Sequence, residues 1–131
     1  MIKYAGVIVK FKKTILLGKR SGNGCKYEGH WSIPCGRVER GESTLKGAER
    51  ELFEETGIKA EHPLEYVCSF KLNDREIFYT YLLALNEMLL PSPDAEDSYE
   101  HSEWGYFETR DTCLPSPMSA EIKESIFKTN K

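Results

Sequence analysis

Residues Lys3 to Phe11 constrain this chain more than any other stretch. They read Lys-Tyr-Ala-Gly-Val-Ile-Val-Lys-Phe, and Ala5 to Val9 are continuously apolar. A strand with one wet face alternates apolar and polar residues, whereas an unbroken apolar run belongs to a strand covered on both faces. The chain is long enough to supply that cover. Its 131 residues and 15.0 kDa suit one domain spanning residues 1–131. Surface scaling gives roughly 7,000 Å² folded against about 22,000 Å² extended, so about two-thirds is buried without help from disulfides or structural metals.

The rest of the chain alternates between strand and helix patterns. Thr14 to Leu17 reads as a second strand after the polar turn Lys12-Lys13, and Ser21-Gly22-Asn23-Gly24 opens a loop from Arg20 to Gly29. Trp31 to Ile33 is a short extended piece stopped by Pro34. Residues 43 to 56 predict a helix, with Ser43 or Thr44 as cap, Gly57 at the C-terminal position and an apolar stripe of Leu45, Ala48 and Leu52. Leu64–Leu72 and Arg75–Leu85 read as a hairpin turning at Asn73-Asp74. Residues 87–102 hold Pro91, Pro93 and several acids and read as an exposed loop. Glu103–Glu108 predicts a last strand, and Ser116-Pro117 the start of a closing helix buried through Met118, Ile122 and Ile126. Strands interleaved with two helices make a mixed α/β domain.

Composition narrows the function. With 18 basic and 21 acidic residues the net charge is −3, which disfavours a general nucleic-acid binder. No basic amphipathic helix points to a membrane surface, no apolar run reaches the ~18 residues of a transmembrane helix, and Ala5–Val9 is too short for a signal-peptide core. Cys25, Cys35, Cys68 and Cys113 form no Cys-x-x-Cys pair. Cys25, His30 and Cys35 raise the question of zinc, but their spacing matches no common ligand pattern. The expectation is a reduced, cytoplasmic protein.

Chemistry concentrates in the helix. At 100° per residue, Glu51, Glu54 and Glu55 project at about 0°, −60° and +40°, sharing one face beside an apolar stripe centred near +95°. Like charges at these spacings repel, and the helix dipole disfavours them at a C-terminal end. A compensating cation is required. Arg50 is one candidate and a hard divalent ion the other, since Mg²⁺ takes carboxylate oxygens together with waters and phosphates. A solvated acidic face is the plain alternative.

The wider pattern decides between these. From Gly36 to Ile58 the chain reads Gly-x5-Glu-x7-Arg-Glu-Leu-x-Glu-Glu-x-Gly-Ile, which resembles the signature of the Nudix hydrolase family with all nine specified positions filled. A chance match is on the order of one in a million at ordinary residue frequencies. The resemblance implies an α/β fold with a mixed β-sheet sandwiched between helices, and a signature folded as loop–helix–loop. It implies hydrolysis of a nucleoside diphosphate linked to another group, X, by attack of water on phosphorus with Mg²⁺ or Mn²⁺ as cofactor. It further implies that Glu51, Glu54 and Glu55 bind metal, with Glu54 also acting in proton transfer, and that Arg50 orients them. Glu42 would support this cluster from behind, and Gly36 and Gly57 would serve the loop geometry. The family commonly has Gly-Gly where this chain has Cys35-Gly36. A backbone carbonyl binds metal at the Cys35 position in the family, so the side-chain change is compatible with activity.

Outside the signature, the segment Tyr99-Glu100-His101-Ser102-Glu103-Trp104 resembles the family's Glu-His…Trp segment. Glu100 is therefore the candidate to activate water, with one more solvated loop acid as the alternative, and His101 reads as structural. Lys19 and Arg20 stand where family members place an arginine near the phosphates, with a solvated strand end as the plain alternative. Tyr27 and Trp31 are candidates to stack on a base, Trp31 alternatively lying in the core beneath the signature loop. Phe70, Tyr79 and Tyr81 are open to the same two readings, a base contact or the aromatics common in any strand. The subfamily markers for ADP-ribose, dinucleoside polyphosphates, coenzyme A and NADH are missing. Their absence favours a broad MutT-like enzyme acting on nucleoside triphosphates or nucleotide sugars as small-molecule substrates, and keeps ADP-ribose or a dinucleoside polyphosphate as the alternative. An RNA 5′-pyrophosphohydrolase would need a basic strip that the charge balance does not supply. A non-catalytic nucleotide-binding module would have lost acidic ligands that are all present here. A homodimer is common in the family, though nothing in these residues requires one.

Overall fold

The computed structural model describes residues 1–22 and 27–130. Among them the chain forms seven strands of one sheet and two α-helices. Strand β1 (Ile2–Phe11) runs through the middle, followed by β2 (Thr14–Arg20), β3 (Trp31–Ser32), β4 (Cys35–Arg37), helix α1 (Thr44–Thr56), β5 (Glu65–Asn73), β6 (Glu76–Leu85), β7 (His101–Glu108) and helix α2 (Ala120–Phe127). Along one edge β1 pairs in parallel with β6 from Ile2↔Glu76 to Phe11↔Leu85. Its other edge is shared. β4 takes Tyr4 to Gly6, and β2 takes Lys10 and Phe11 before diverging to pair with β3 and β7. β5 closes the far side as the antiparallel partner of β6.

The expected double cover of β1 is met. Ala5, Val7 and Val9 turn to one face and pack with Ala48 and Leu52 of α1. Ile8 turns to the other and packs with Ile122 and Ile126 of α2. All of these are under 5% exposed. The mixed sheet is therefore sandwiched between helices.

Helix α1 begins and ends where local chemistry dictates. The Ser43 hydroxyl accepts the Lys46 N–H at 3.1 Å, and Gly57 at φ +76° sends its N–H to the Phe53 carbonyl. The neighbouring orphan carbonyls are capped from afar. Ser92 donates to the Thr56 carbonyl and Asp97 to that of Glu54, both at 2.7 Å. These two bonds lay the 86–97 segment across the end of α1 and carry the chain into β7 beside the helix.

Three expectations are corrected. The strand β4, which sequence patterns did not indicate, exists because Cys35–Arg37 find partners on β1. The loop predicted to run to residue 102 gives way to a 3₁₀ turn at Ser98–Glu100 and to β7 from His101. Helix α2 starts at Ala120, capped by Ser119, and not at Ser116-Pro117. The Pro117 carbonyl accepts from Trp31, and Met118 bridges Trp31, so these residues extend the sheet edge at β3 before the helix begins. No helix of the described residues is long and apolar enough to cross a membrane.

Candidate active site

The burial of the three α1 carboxylates follows their angle from the apolar stripe. Glu55, about 55° away, is 1% exposed; Glu51, about 95° away, is 13%; Glu54, about 155° away, is 23%. Arg50 answers their repulsion. Its Nε donates to Glu42 at 2.9 Å, Nη1 donates to Glu51 at 2.9 Å and Glu54 at 3.1 Å, and Nη2 donates to Glu42 and to the Arg37 carbonyl. Glu42 is fixed further by the Glu39 N–H at 2.9 Å. Arg50 holds the Glu42 carboxyl below the usual carboxylate range.

Gly36 lies in β4 against Glu51, and a Cβ built there would overlap the Glu51 carboxylate. Only glycine leaves that space. The adjacent Cys35 N–H donates to Glu55 Oε1 at 3.3 Å. Burial pushes the Cys35 thiol up to about 12, so it stays protonated. Glu55 is held well above the ordinary carboxyl range by its burial, with the charges of Glu51 and Glu100 adding to the effect. Its Oε2 has no hydrogen-bond partner. A buried carboxylate oxygen left so carries a desolvation cost that a bound cation would remove.

Glu51 opens onto a cleft of about 710 Å³ that also receives Arg20, Tyr27, Asp97 and Glu100. Of the sequence-derived candidates, Arg20, Tyr27, Glu51 and Glu100 thus reach one cleft from four separate segments. Glu100 is raised by burial first, and then by the charges of Asp97 and Glu51. Arg20 and Arg37 both line this cleft, and the charge of Arg20 lowers Cys35, Glu55 and Glu100 in turn. Lys19, which alternates with Arg20 along β2, is absent from the cleft wall. Tyr27 stands 57% exposed at the rim with its ring against His30. Trp31 packs on Phe107 at 5.2 Å in the same core cluster as Cys35, and it also lines the cleft.

Sequence reasoning reached the far end of the cleft only at Phe70 and missed the rest. Tyr4, Phe78 and Phe70 form a stacked row, with ring centroids 6.5 Å apart for the first pair and 5.2 Å for the second. The Tyr4 hydroxyl and the Asn73 amide donate to the two oxygens of Glu76 at 2.7 and 2.6 Å. Tyr4 and Phe78 are paired across β1 and β6, so only the parallel register brings them together. No local signal marks them.

The donor set suits a hard divalent cation: Glu51, Glu54 and Glu55 offer oxygen ligands, and the unpartnered Glu55 Oε2 fits one directly. Among the described residues no group of three or more His, Cys, Asp or Glu is gathered into a ready cage. Arg50 draws one oxygen each of Glu51 and Glu54 towards itself. Of the zinc alternative, Cys25 lies outside the described residues.

Comparison with known proteins places the chain in a family. The NUDIX domain profile matches residues 2–128. Phosphatase NudJ of Shigella boydii is 30% identical over 96 residues, covering 70% of this chain and 62% of its own, so the match spans less than two-thirds of that relative. A MutT NUDIX hydrolase from Burkholderia pseudomallei superposes with a TM-score of 0.78 at 24% identity, covering 97% of this chain and 96% of the other. The NUDIX domain of Shewanella oneidensis NrtR, solved with ADP ribose, superposes at 0.77 and 18% identity over 99% and 86% of the two chains. Those structures share the fold, and the profile covers nearly the whole chain that builds this cleft. The protein belongs to the NUDIX domain family.

Proposed function

We propose that this chain hydrolyses a phosphoanhydride bond of a nucleoside diphosphate linked to X, by attack of water on phosphorus, on nucleoside triphosphates or nucleotide sugars. The observation that carries the reading is the buried Glu55, with one oxygen unpartnered, set behind Glu51, which opens onto a cleft lined also by Arg20 and Glu100. Glu51, Glu54, Glu55 and the Cys35 carbonyl would hold Mg²⁺ or Mn²⁺. When bound, the ion neutralises phosphate oxygens that carboxylates alone would repel.

The remaining work falls to the side chains. Arg20 binds the anionic chain, since it lines the cleft and its charge acts on Glu55 and Glu100. Arg50 keeps Glu51 and Glu54 oriented without touching substrate. Glu100, whose proton affinity is raised by its burial, accepts the proton of the attacking water. Glu54 shares in that proton transfer. Phosphoryl transfer needs positioning and charge neutralisation above all, and this cleft provides both.

The test is incubation with Mg²⁺ and a panel of nucleoside triphosphates, nucleotide sugars, dinucleoside polyphosphates and ADP-ribose, with products identified by mass. ADP-ribose belongs in it because the NrtR domain was solved with that ligand. One class should be cleaved, and Glu54→Gln should slow turnover by about 10²- to 10⁴-fold with the fold intact. Equal turnover in that variant would overturn the mechanism.

A further inference from the structure

His101 lies behind the carboxylates, and the proposed reaction makes no use of it. Its side chain is completely enclosed, and its ring rests on Trp104 with centroids 4.4 Å apart. The space is purpose-built. A Cβ on Gly18 of β2 would stand 2.7 Å from His101 Cδ2 and 2.7 Å from Trp104, closer than real atoms come. The strand pairing also shifts at Arg20 to oppose His101.

A ring needed only for filling is better supplied by phenylalanine, because burying two imidazole nitrogens costs their hydration. Neither nitrogen has a hydrogen-bond partner in the protein. Two charged groups act on the ring: Arg20, which adds to burial in disfavouring its protonation and keeps it neutral, and Glu55, whose Oε1 lies 4.0 Å from His101 Nε2. The same Oε1 takes the Cys35 N–H, while Oε2 is left over. The 4.0 Å gap is about 1 Å beyond an ordinary hydrogen bond, and such contacts are often long in ligand-free sites.

We propose that His101 is a positioning residue for Glu55: its Nε2–H and the Cys35 N–H together hold Oε1, which leaves Oε2 for the metal ion. The inference rests on the reading of Glu55 as a metal ligand.

The test is titration of Mn²⁺ into the substrate-free protein, followed by the paramagnetic resonance of the free ion. His101→Phe keeps a ring against Trp104 and removes the donor. His101→Gln returns an N–H of similar reach. Mn²⁺ binding should weaken about 10- to 100-fold in His101→Phe, the usual effect of losing a partner behind a ligand, and recover in His101→Gln. Wild-type affinity in His101→Phe, or no recovery in His101→Gln, overturns the proposal. If His101→Phe does not fold, the ¹⁵N spectrum of the wild-type imidazole decides: an Nε2–H tautomer supports the assignment and an Nδ1–H tautomer overturns it. Failure of the wild type to bind Mn²⁺ would remove the metal reading itself, which is a different result from unchanged binding in the variant.

Discussion

Arg50 aims its three guanidinium nitrogens at Glu42, Glu51, Glu54 and the Arg37 carbonyl, joining the residues before α1 to the carboxylates on it. The Glu42 partner is the one whose titration is simplest to follow, because it stands away from the cleft. Its folded pKa lies below its ordinary value of 4.5. The unfolded chain therefore binds the proton more readily, and the pair's stabilisation is complete above about pH 4.5 and lost as pH falls through the folded value. Glu42→Gln should cost about 1.5 kcal/mol at pH 7, in the range for hydrogen bonds to charged groups, and progressively less as the medium is acidified. Urea unfolding of both proteins across that range measures it. A cost that did not change with pH would mean that packing, and not charge, makes Glu42 matter.

At the scale of elements, the two ends of α1 make a controlled comparison. Ser43 caps the N-terminus far from the loop that carries Glu100, and Gly57 caps the C-terminus directly under it. Ser43→Ala should cost about 1 kcal/mol and leave turnover unchanged. Gly57→Ala should cost about 1–2 kcal/mol, since φ +76° disfavours any side chain. Its new Cβ would also come within 3.2 Å of Ser92, part of the segment tied across the helix end. That variant should lose turnover as well as stability, as thermal unfolding and steady-state kinetics on the same samples would show. Helix α1 was readable in full because its signals, namely caps, stripe and carboxylate spacing, all lie within its own residues. Strand β4 was not, since three residues carry no periodicity and pair only when β1 is already in place. The start of α2 was misplaced because Pro117 and Met118 serve β3, a contact that no local rule contains.

For the whole molecule, the sheet divides two cores with different duties. The α1 face anchors the carboxylates, while the α2 face holds the far wall of the cleft, where Met118 and Ile122 line the space facing Phe78. Ile126 is fully buried one turn beyond Ile122. Ile126→Ala should lower stability by about 2–5 kcal/mol, the usual cost of a core cavity. Because α2 forms part of the cleft wall and not of the carboxylate cluster, its loosening should raise KM more than it lowers kcat. Denaturant unfolding and kinetics would separate the two effects.

The amino-acid sequence by itself determined the strand that must be covered on both faces, the capped helix, the row of carboxylates on one side of it and the arginine beside them. Each of these follows from spacing along a local backbone whose geometry is known in advance. Glu100, Arg20 and His101 stood out only through the family resemblance, since no local spacing ties them to the helix. Tertiary structure decided that they meet Glu55, because a parallel pairing of β1 with β6, a shift in the β2–β7 ladder and two hydrogen bonds to the end of α1 bring distant segments to one place. The aromatic row of Tyr4, Phe78 and Phe70 belongs wholly to that second class. Its members face one another only across strands, and the register that aligns them is set by burial of the entire sheet.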